Sequence, residues 1–300
     1  MRTTMKTIAM SALLLAVALR SATADTQQHF PSPEAAARAL EAAARASDPA
    51  RLVAVLGPQS DDVVSSGDPV DDARVRKRFA TAAAARTQIE KTPEGDRAIL
   101  HVGADDWPFP IPLVREGNEW RFDTAAGKEE ILNRRIGRNE LATLASCRTY
   151  VDAQHEFAAR FHEYAQVFRS TPGKHDGLYW EASGHDTSPL GPLVAAATSE
   201  GYTVTDPSQG PAPYHGYFYR ILKAQGAHAP GGARDYVKDG RMIGGFALLA
   251  WPAEHGSSGV MTFMVGPQGV VFQKDLGAQT ADAAKAITTY DPDESWSPTR

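Results

Sequence analysis

The stretch GRMIGGFALLAWPAEHGSSGVMTFMVGPQGVVFQKDLG, Gly240 to Gly277, decides the fold. Phe246 to Trp251 is a continuous apolar run of the length expected for a strand buried on both faces. Gly244 and Gly245 precede it and Pro252 follows it, and neither residue type suits a helix interior. The turn Glu254 to Gly259 leads into a second run, Val260 to Val265. Gly266-Pro267-Gln268-Gly269 then reverses the chain into a third, Val270 to Gln273. Short strands joined by glycine-bearing turns predict antiparallel hairpins. Gly216 to Leu222 predicts a fourth strand, and a sheet of this size needs something on its apolar face.

The cover is predicted over Arg138 to Phe161. Leu144, Cys147, Val151, Ala158 and Phe161 recur at helical spacing and share one face. Arg169 to Pro213 is rich in Gly, Pro, Ser and Asp. It reads as long ordered loops with a short helix near Leu193 to Thr198, and loops of this length are often functional. A last helix is predicted over Thr280 to Thr289.

The N-terminal half has a different rhythm. Ser32-Pro33-Glu34 is a helix start, with a capping hydroxyl, a first-turn proline and an acid near the positive end. Alanine-rich helix follows to Ala46. Asp48-Pro49 caps a second helix, which Gly57-Pro58 stops, and Ser60 to Ser66 has room for a further turn. Asp71-Asp72 opens a third helix towards Ala85. Strands are predicted at Thr87–Lys91, Arg97–Val102, Phe109–Val114 and Glu119–Asp123, with Glu116-Gly117-Asn118 as the last turn. Thr124 to Arg135 is predicted helical, ending at Gly137. The expected fold class is therefore α+β. It comprises N-terminal helices with a curled antiparallel sheet over 25–136, and a long helix packed on an antiparallel sheet over 137–300.

The chain has 300 residues and a formal net charge of −5, which gives no electrostatic support for a nucleic-acid partner. Arg2 and Lys6, the apolar run Ile8 to Leu19, and Ala22-Thr23-Ala24 before Asp25 have the layout of a cleaved signal peptide over 1–24. The apolar run is shorter than the roughly 20 residues a spanning helix needs. A periplasmic or secreted protein with no transmembrane segment after cleavage is expected. Cys147 is the single cysteine, so an internal disulfide and a cysteine-rich zinc site are impossible. Its place on the helix stripe points to burial.

Candidate chemistry is sparse. Gly127-Lys128 lacks the serine or threonine of a phosphate loop, since Glu129 follows. Gly256-Ser257-Ser258-Gly259 misses the spacing of a nucleophile elbow and reads as a turn. His155 and His162 stand two helical turns apart, too far for one metal ion without a further element. His175-Asp176, His185-Asp186, His215 and Glu181, all in or beside the long loops, form the best candidate constellation. Arg134, Arg135 and Arg138 cluster between the halves, where an anion site is one reading and pairing with Glu129, Glu130 and Glu140 is the expected one. Trp107, Phe109, Trp120 and Phe122 would line any pocket between the N-terminal helices and sheet, or else form its core.

Helices followed by a meander ending in Asn118-Glu119-Trp120-Arg121-Phe122 resemble the cystatin-like or nuclear-transport-factor-like architecture, which implies a pocket between helices and sheet. Gly216-Tyr217-Phe218-Tyr219, Phe246 to Pro252 and Gly259 to Gly269 resemble the sheet of pseudopilin globular domains. Unlike pilins, the chain has a whole domain before its long helix, so the likeness implies a layout and no filament. Four longer motifs, Asp105 to Pro112, Arg134 to Leu141, Ser188 to Leu193 and Asp239 to Phe246, resemble an exported bacterial family known as domain of unknown function 2950. That likeness implies export and two parts, and no activity. The reading that follows is an exported, non-catalytic protein acting in binding or cell-envelope assembly, with an envelope protein or a small ligand as partner. No catalytic residue, metal or cofactor is assigned. The tentative ligand-binding residues are Trp107, Phe109, Trp120, Phe122, His175, His185 and His215. The alternatives are a hydrolase using the histidines of the 170–215 loops and small-ligand binding by the N-terminal half.

Overall fold

Three side chains start the N-terminal helices. Ser32 Oγ accepts from Ala35 N at 3.2 Å to cap α1 (Pro33–Ala46), Asp48 caps α2 (Pro49–Leu56), and Asp68 caps α4 (Pro69–Ala85). Each cap is followed by proline, whose missing N–H costs nothing in the first turn. A 3₁₀ turn (Pro58–Ser60) and the short α3 (Asp61–Val64) lie between α2 and α4. Helix α4 starts at Pro69, before the expected Asp71-Asp72, because Asp68 is its cap. Asp71 and Asp72 sit buried in its first turn. The computed structural model describes residues 27–203 and 212–299, so the expected signal peptide over 1–24 lies outside the described residues.

An antiparallel sheet follows, from β1 (Thr87–Lys91), β2 (Arg97–Val102), β3 (Trp107–Pro108), β4 (Leu113–Glu116) and β5 (Glu119–Phe122). The order is β1-β2-β4-β5, with β3 also paired to β2. Of the strand expected at Phe109–Val114 only Leu113 and Val114 are regular, in β4, and the short β3 lies just before it. Pro108, Pro110 and Pro112 cannot donate to a ladder, so regular pairing resumes only beyond them. Helices and sheet enclose one apolar core, including Ala36, Leu40, Leu52, Leu100, Ile111 and Phe122.

Helix α5 (Thr124–Phe161) is continuous over 38 residues, about 57 Å at 1.5 Å per residue. It runs through Gly137, where the sequence predicts a break. Gly137 is exposed and a Cβ there would meet nothing within 4 Å. The penalty for glycine in a helix, about 1 kcal/mol, is outweighed by contacts of the neighbouring residues with both halves of the molecule. The buried stripe of α5 runs through Thr143, Cys147, Tyr150, Gln154 and Phe157, while Leu144, Ala158 and Phe161 are half-buried at its flank. Two polar residues lie on the stripe. Gln154 fits because its amide exchanges hydrogen bonds with Ala165 N and O and donates to Tyr150 Oη.

The stripe covers the second antiparallel sheet. After α6 (Gly191–Ser199), strands β6 (Tyr217–Leu222), β11 (Ala247–Pro252), β12 (Met261–Val265), β13 (Val271–Asp275) and β14 (Ser297–Pro298) stand in the order β14-β13-β12-β11-β6. Two small ribbons lie beside it. One pairs β7 (Ala224–Gln225) with β8 (Arg234–Asp235), the other β9 (Val237–Lys238) with β10 (Arg241–Met242). Both α5 and α7 (Thr280–Ala286) pack on β11, and Ala247 to Ala250 are all buried, which is why β11 reads as an unbroken apolar run. Helix α7 ends at Ala286, short of the expected Thr289. Arg220 from β6 caps it, donating to the carbonyls of Ala284 and Ile287. The molecule is α+β, with two apolar cores that α5 touches in turn. Among the described residues no helix is long and apolar enough to cross a membrane.

Candidate functional site

The N-terminal core is incompletely filled. Between α1, α2, α4, the sheet and the first turns of α5 lies a cavity of about 490 Å³, within the usual range for small-molecule sites. Leu40 and Ala44 of α1, Leu52 and Leu56 of α2, Val75, Phe79 and Ala82 of α4, and Ile131 of α5 make its apolar wall. Val102, Gly103 and the segment after it supply the other side.

Of the four aromatic residues expected to line a pocket, two do. Phe109 sits on the wall with its ring centroid 5.4 Å from that of Phe79. Trp107 is 38% exposed, and the Arg134 guanidinium lies 5.9 Å from its ring. Phe122 is fully buried behind Phe109, and Trp120 is buried where its backbone pairs with Phe30. Neither reaches the cavity.

The polar part of the lining is strongly biased, with five arginines (Arg76, Arg78, Arg134, Arg135, Arg138) against Asp72 and Asp105. Arg135 is only 6% exposed. It donates to the carbonyls of Asp62 (2.6 Å) and Val63, and to Ser257 Oγ at 3.1 Å. Burial pushes its guanidinium below the usual arginine range. Arg76 donates to Val64 O at 3.3 Å and Ser47 Oγ at 3.0 Å. Burial also raises the Asp72 carboxyl above the usual aspartate value, against the lowering effect of hydrogen bonds from Ser66 N and Oγ. Arg138 reaches Asp71 at 3.3 Å. Of the expected pairings along α5, only Arg134 with Glu130 forms. Arg135 and Arg138 face α3 and α4 instead. Glu140 turns to the second sheet, accepting from Val260 N and Met261 N at 3.0 Å each.

The same stretch of α5 joins the two halves. Asn139 Nδ2 donates to Ser258 O at 2.9 Å, and Ser257 Oγ donates to Asp62 O at 3.1 Å. Ser258 Oγ exchanges hydrogen bonds with the backbone of Glu254. Both serines of the Gly256–Gly259 turn are thus committed to backbone contacts. A second strand of the junction centres on Asp68, whose Oδ2 accepts from Tyr202 Oη at 2.9 Å and Gly216 N at 2.8 Å. Arg74 bridges Asp71 (2.5 Å) and Glu200 (3.0 Å).

The loop histidines His175 and His215 have different acidic partners. His215 and Gly216, at φ 49° and 76°, are the central residues of a tight reversal between Tyr214 and Tyr217, the conformation of a type I′ hairpin turn. His215 Nε2 lies 3.2 Å from Glu200. Burial pushes its pKa down, the Glu200 carboxylate working against it. His175 Nε2 lies 2.9 Å from Asp186, with its ring 4.4 Å from that of Trp180. His185 is exposed, and Glu181 lies on the surface 3.9 Å from Arg169. Among the described residues no group of three or more His, Cys, Asp or Glu side chains is placed to hold a metal ion.

Sequence reasoning missed Asp68, Arg76 and the apolar wall. Arg76 reads as an ordinary exposed helix residue, and nothing local signals that Val63, Val75 and Ile131 meet across a hollow. The family model described as "Protein of unknown function (DUF2950)" matches residues 27–299, and the chain belongs to that family. No curated protein and no solved structure matches the chain.

Proposed function

We propose that this member of the DUF2950 family is an exported, non-catalytic binding protein that holds a small, largely apolar ligand in the cavity of its N-terminal half. The cavity carries the reading. It is of ligand size, is walled by aliphatic and aromatic side chains, and has a polar lining in which arginines outnumber acids. Export is supported by the basic and apolar layout of the first 24 residues. A non-catalytic role is supported by the engagement of Ser257 and Ser258 with backbone groups and by the burial of Cys147, whose thiol is pushed up to about 12.

The test is a thermal-shift panel of lipids and metabolites on the mature protein, expected to begin at Asp25. At least one apolar compound should raise the melting temperature by mass action. The rise should vanish in Val75→Trp, which fills the cavity. A panel without any shift, or shifts that survive the filling, would remove the reading.

A further inference from the structure

We infer that the cavity takes a single-chain amphiphile with an anionic head, its chain along the apolar wall and its head on Arg76 and Arg135. The inference rests on the cavity being a ligand site, and adds the chemical class of the ligand.

Two observations carry it. The first is convergence. Arg76 comes from α4 and Arg135 from α5, yet both guanidiniums arrive at the same piece of backbone, the carbonyls of residues 62–64 of α3. Both also line the cavity. The second is the nature of their partners. The hydrogen-bond acceptors of the two groups are backbone carbonyls and the hydroxyls of Ser47 and Ser257, all neutral. Of the acids close by, Asp72 turns both carboxylate oxygens to Ser66. Asp71 and Asp62 also act on Arg135, but Asp71 is paired with Arg74 and Arg138, and Asp62 with Lys128. None of these three carboxylates accepts a hydrogen bond from Arg76 or from Arg135, which is only 6% exposed, and the cavity lining holds five arginines against Asp72 and Asp105. A guanidinium taken out of water without a matching anion carries a desolvation cost, and an anion delivered by a ligand offsets it. Two arginine forks are the donor set that carboxylate and phosphate oxygens engage in pairs. A cationic head would meet repulsion here, and a neutral one would leave the charge uncompensated.

Displacement of the neutral apolar dye N-phenyl-1-naphthylamine tests this on the full mature chain. The competitors are dodecanoate, dodecyl phosphate, dodecanol and dodecyltrimethylammonium, which share one chain and differ in head. We expect the two anions to displace the dye at concentrations about tenfold or more below dodecanol, and the cation to be weakest. The two anionic arms separate a carboxylate from a phosphate ligand, and a preference for either supports the inference. Arg76→Gln should bring dodecanoate and dodecanol to within about threefold of each other while the dye still binds. Arg135→Met should do the same if it folds, but Arg76→Gln decides, because Arg135 also ties α3 to the second half. Dodecanol matching dodecanoate on the unaltered protein would overturn the anionic head and leave the cavity reading standing. A preference that persists unchanged in Arg76→Gln would overturn the placement of the head. A dye that fails to bind, or binds equally well to Val75→Trp, would remove both the inference and the reading beneath it.

Discussion

Gly127 shows how a residue acquires meaning only through what lies opposite. Next to Lys128 it suggests a phosphate loop, and the missing hydroxyl residue removes that idea. In the fold it lets α5 press against the backbone of Pro110 and Ile111. A Cβ there would fall 2.6 Å from Ile111 Cα and closer still to the Pro110 carbonyl. Gly127→Ala should therefore destabilise the protein by roughly 1–3 kcal/mol, measured by urea denaturation, and should weaken ligand binding because Pro110 lines the cavity. His215 makes a prediction of a different kind. Its neighbours are Glu200, Arg74, Asp71, Asp68, Tyr202 and Tyr214, and burial is the largest influence, favouring the neutral ring. The folded pKa lies below the unfolded one, so on acidification the unfolded chain takes up the proton first. Stability is fully present above about pH 6.5, the ordinary histidine value, and is lost as the pH falls from there through the folded pKa. Denaturation midpoints followed from neutral pH downward should show that loss, and His215→Gln should flatten it in this window.

At the scale of an element, α5 is the informative case. A glycine in the middle of a helical pattern argues for a break when only the local sequence is weighed. Here the residues on either side are anchored, Arg135 to α3 and Asn139 and Glu140 to the 258–261 segment, so the helix has no freedom to stop. Gly137 is exposed, with open space where a Cβ would go. Gly137→Ala should raise stability by up to about 1 kcal/mol, and a loss of stability would show that a bend is needed there. The stripe of α5 predicts its chemistry too. Cys147 is wholly buried on it, with its thiol held up near 12. The native protein should resist a thiol-reactive disulfide reagent, and the rate of modification should rise only as denaturant opens the structure. Apolar residues alone place the stripe to one side of its true line, because Thr143 and Gln154 complete it through hydrogen bonds.

For the molecule as a whole, the decisive feature is the junction. Asp68 caps α4 in the first half and accepts from Tyr202 and Gly216 in the second, and it is fully buried. Arg74 and Glu200 run beside it, and Arg135 and Ser257 form a separate tie. With several buried polar links of this kind the halves should unfold together. Calorimetry of the mature protein should show one transition. Asp68→Asn keeps a capping oxygen but weakens the charge-assisted bonds to Tyr202 and Gly216, and should cost about 1–3 kcal/mol and broaden or split that transition. A sharp single transition at an unchanged temperature would show that the junction contributes little.

The amino-acid sequence alone determined the α+β class, the strand pairs around Phe246 to Gln273, the caps of α1 and α2, and the burial of Cys147. These are short-range matters, set by periodicity, by glycine and proline backbone limits and by local hydrogen bonds. Only the tertiary structure decided that α5 is unbroken, that His175 pairs with Asp186 while His215 pairs with Glu200, and that Arg76 and Arg135 meet beside an apolar hollow. The reason is physical. A cavity is the space that distant side chains fail to fill, and the charge state of a buried group depends on neighbours brought in from other elements, so neither leaves a pattern in consecutive residues.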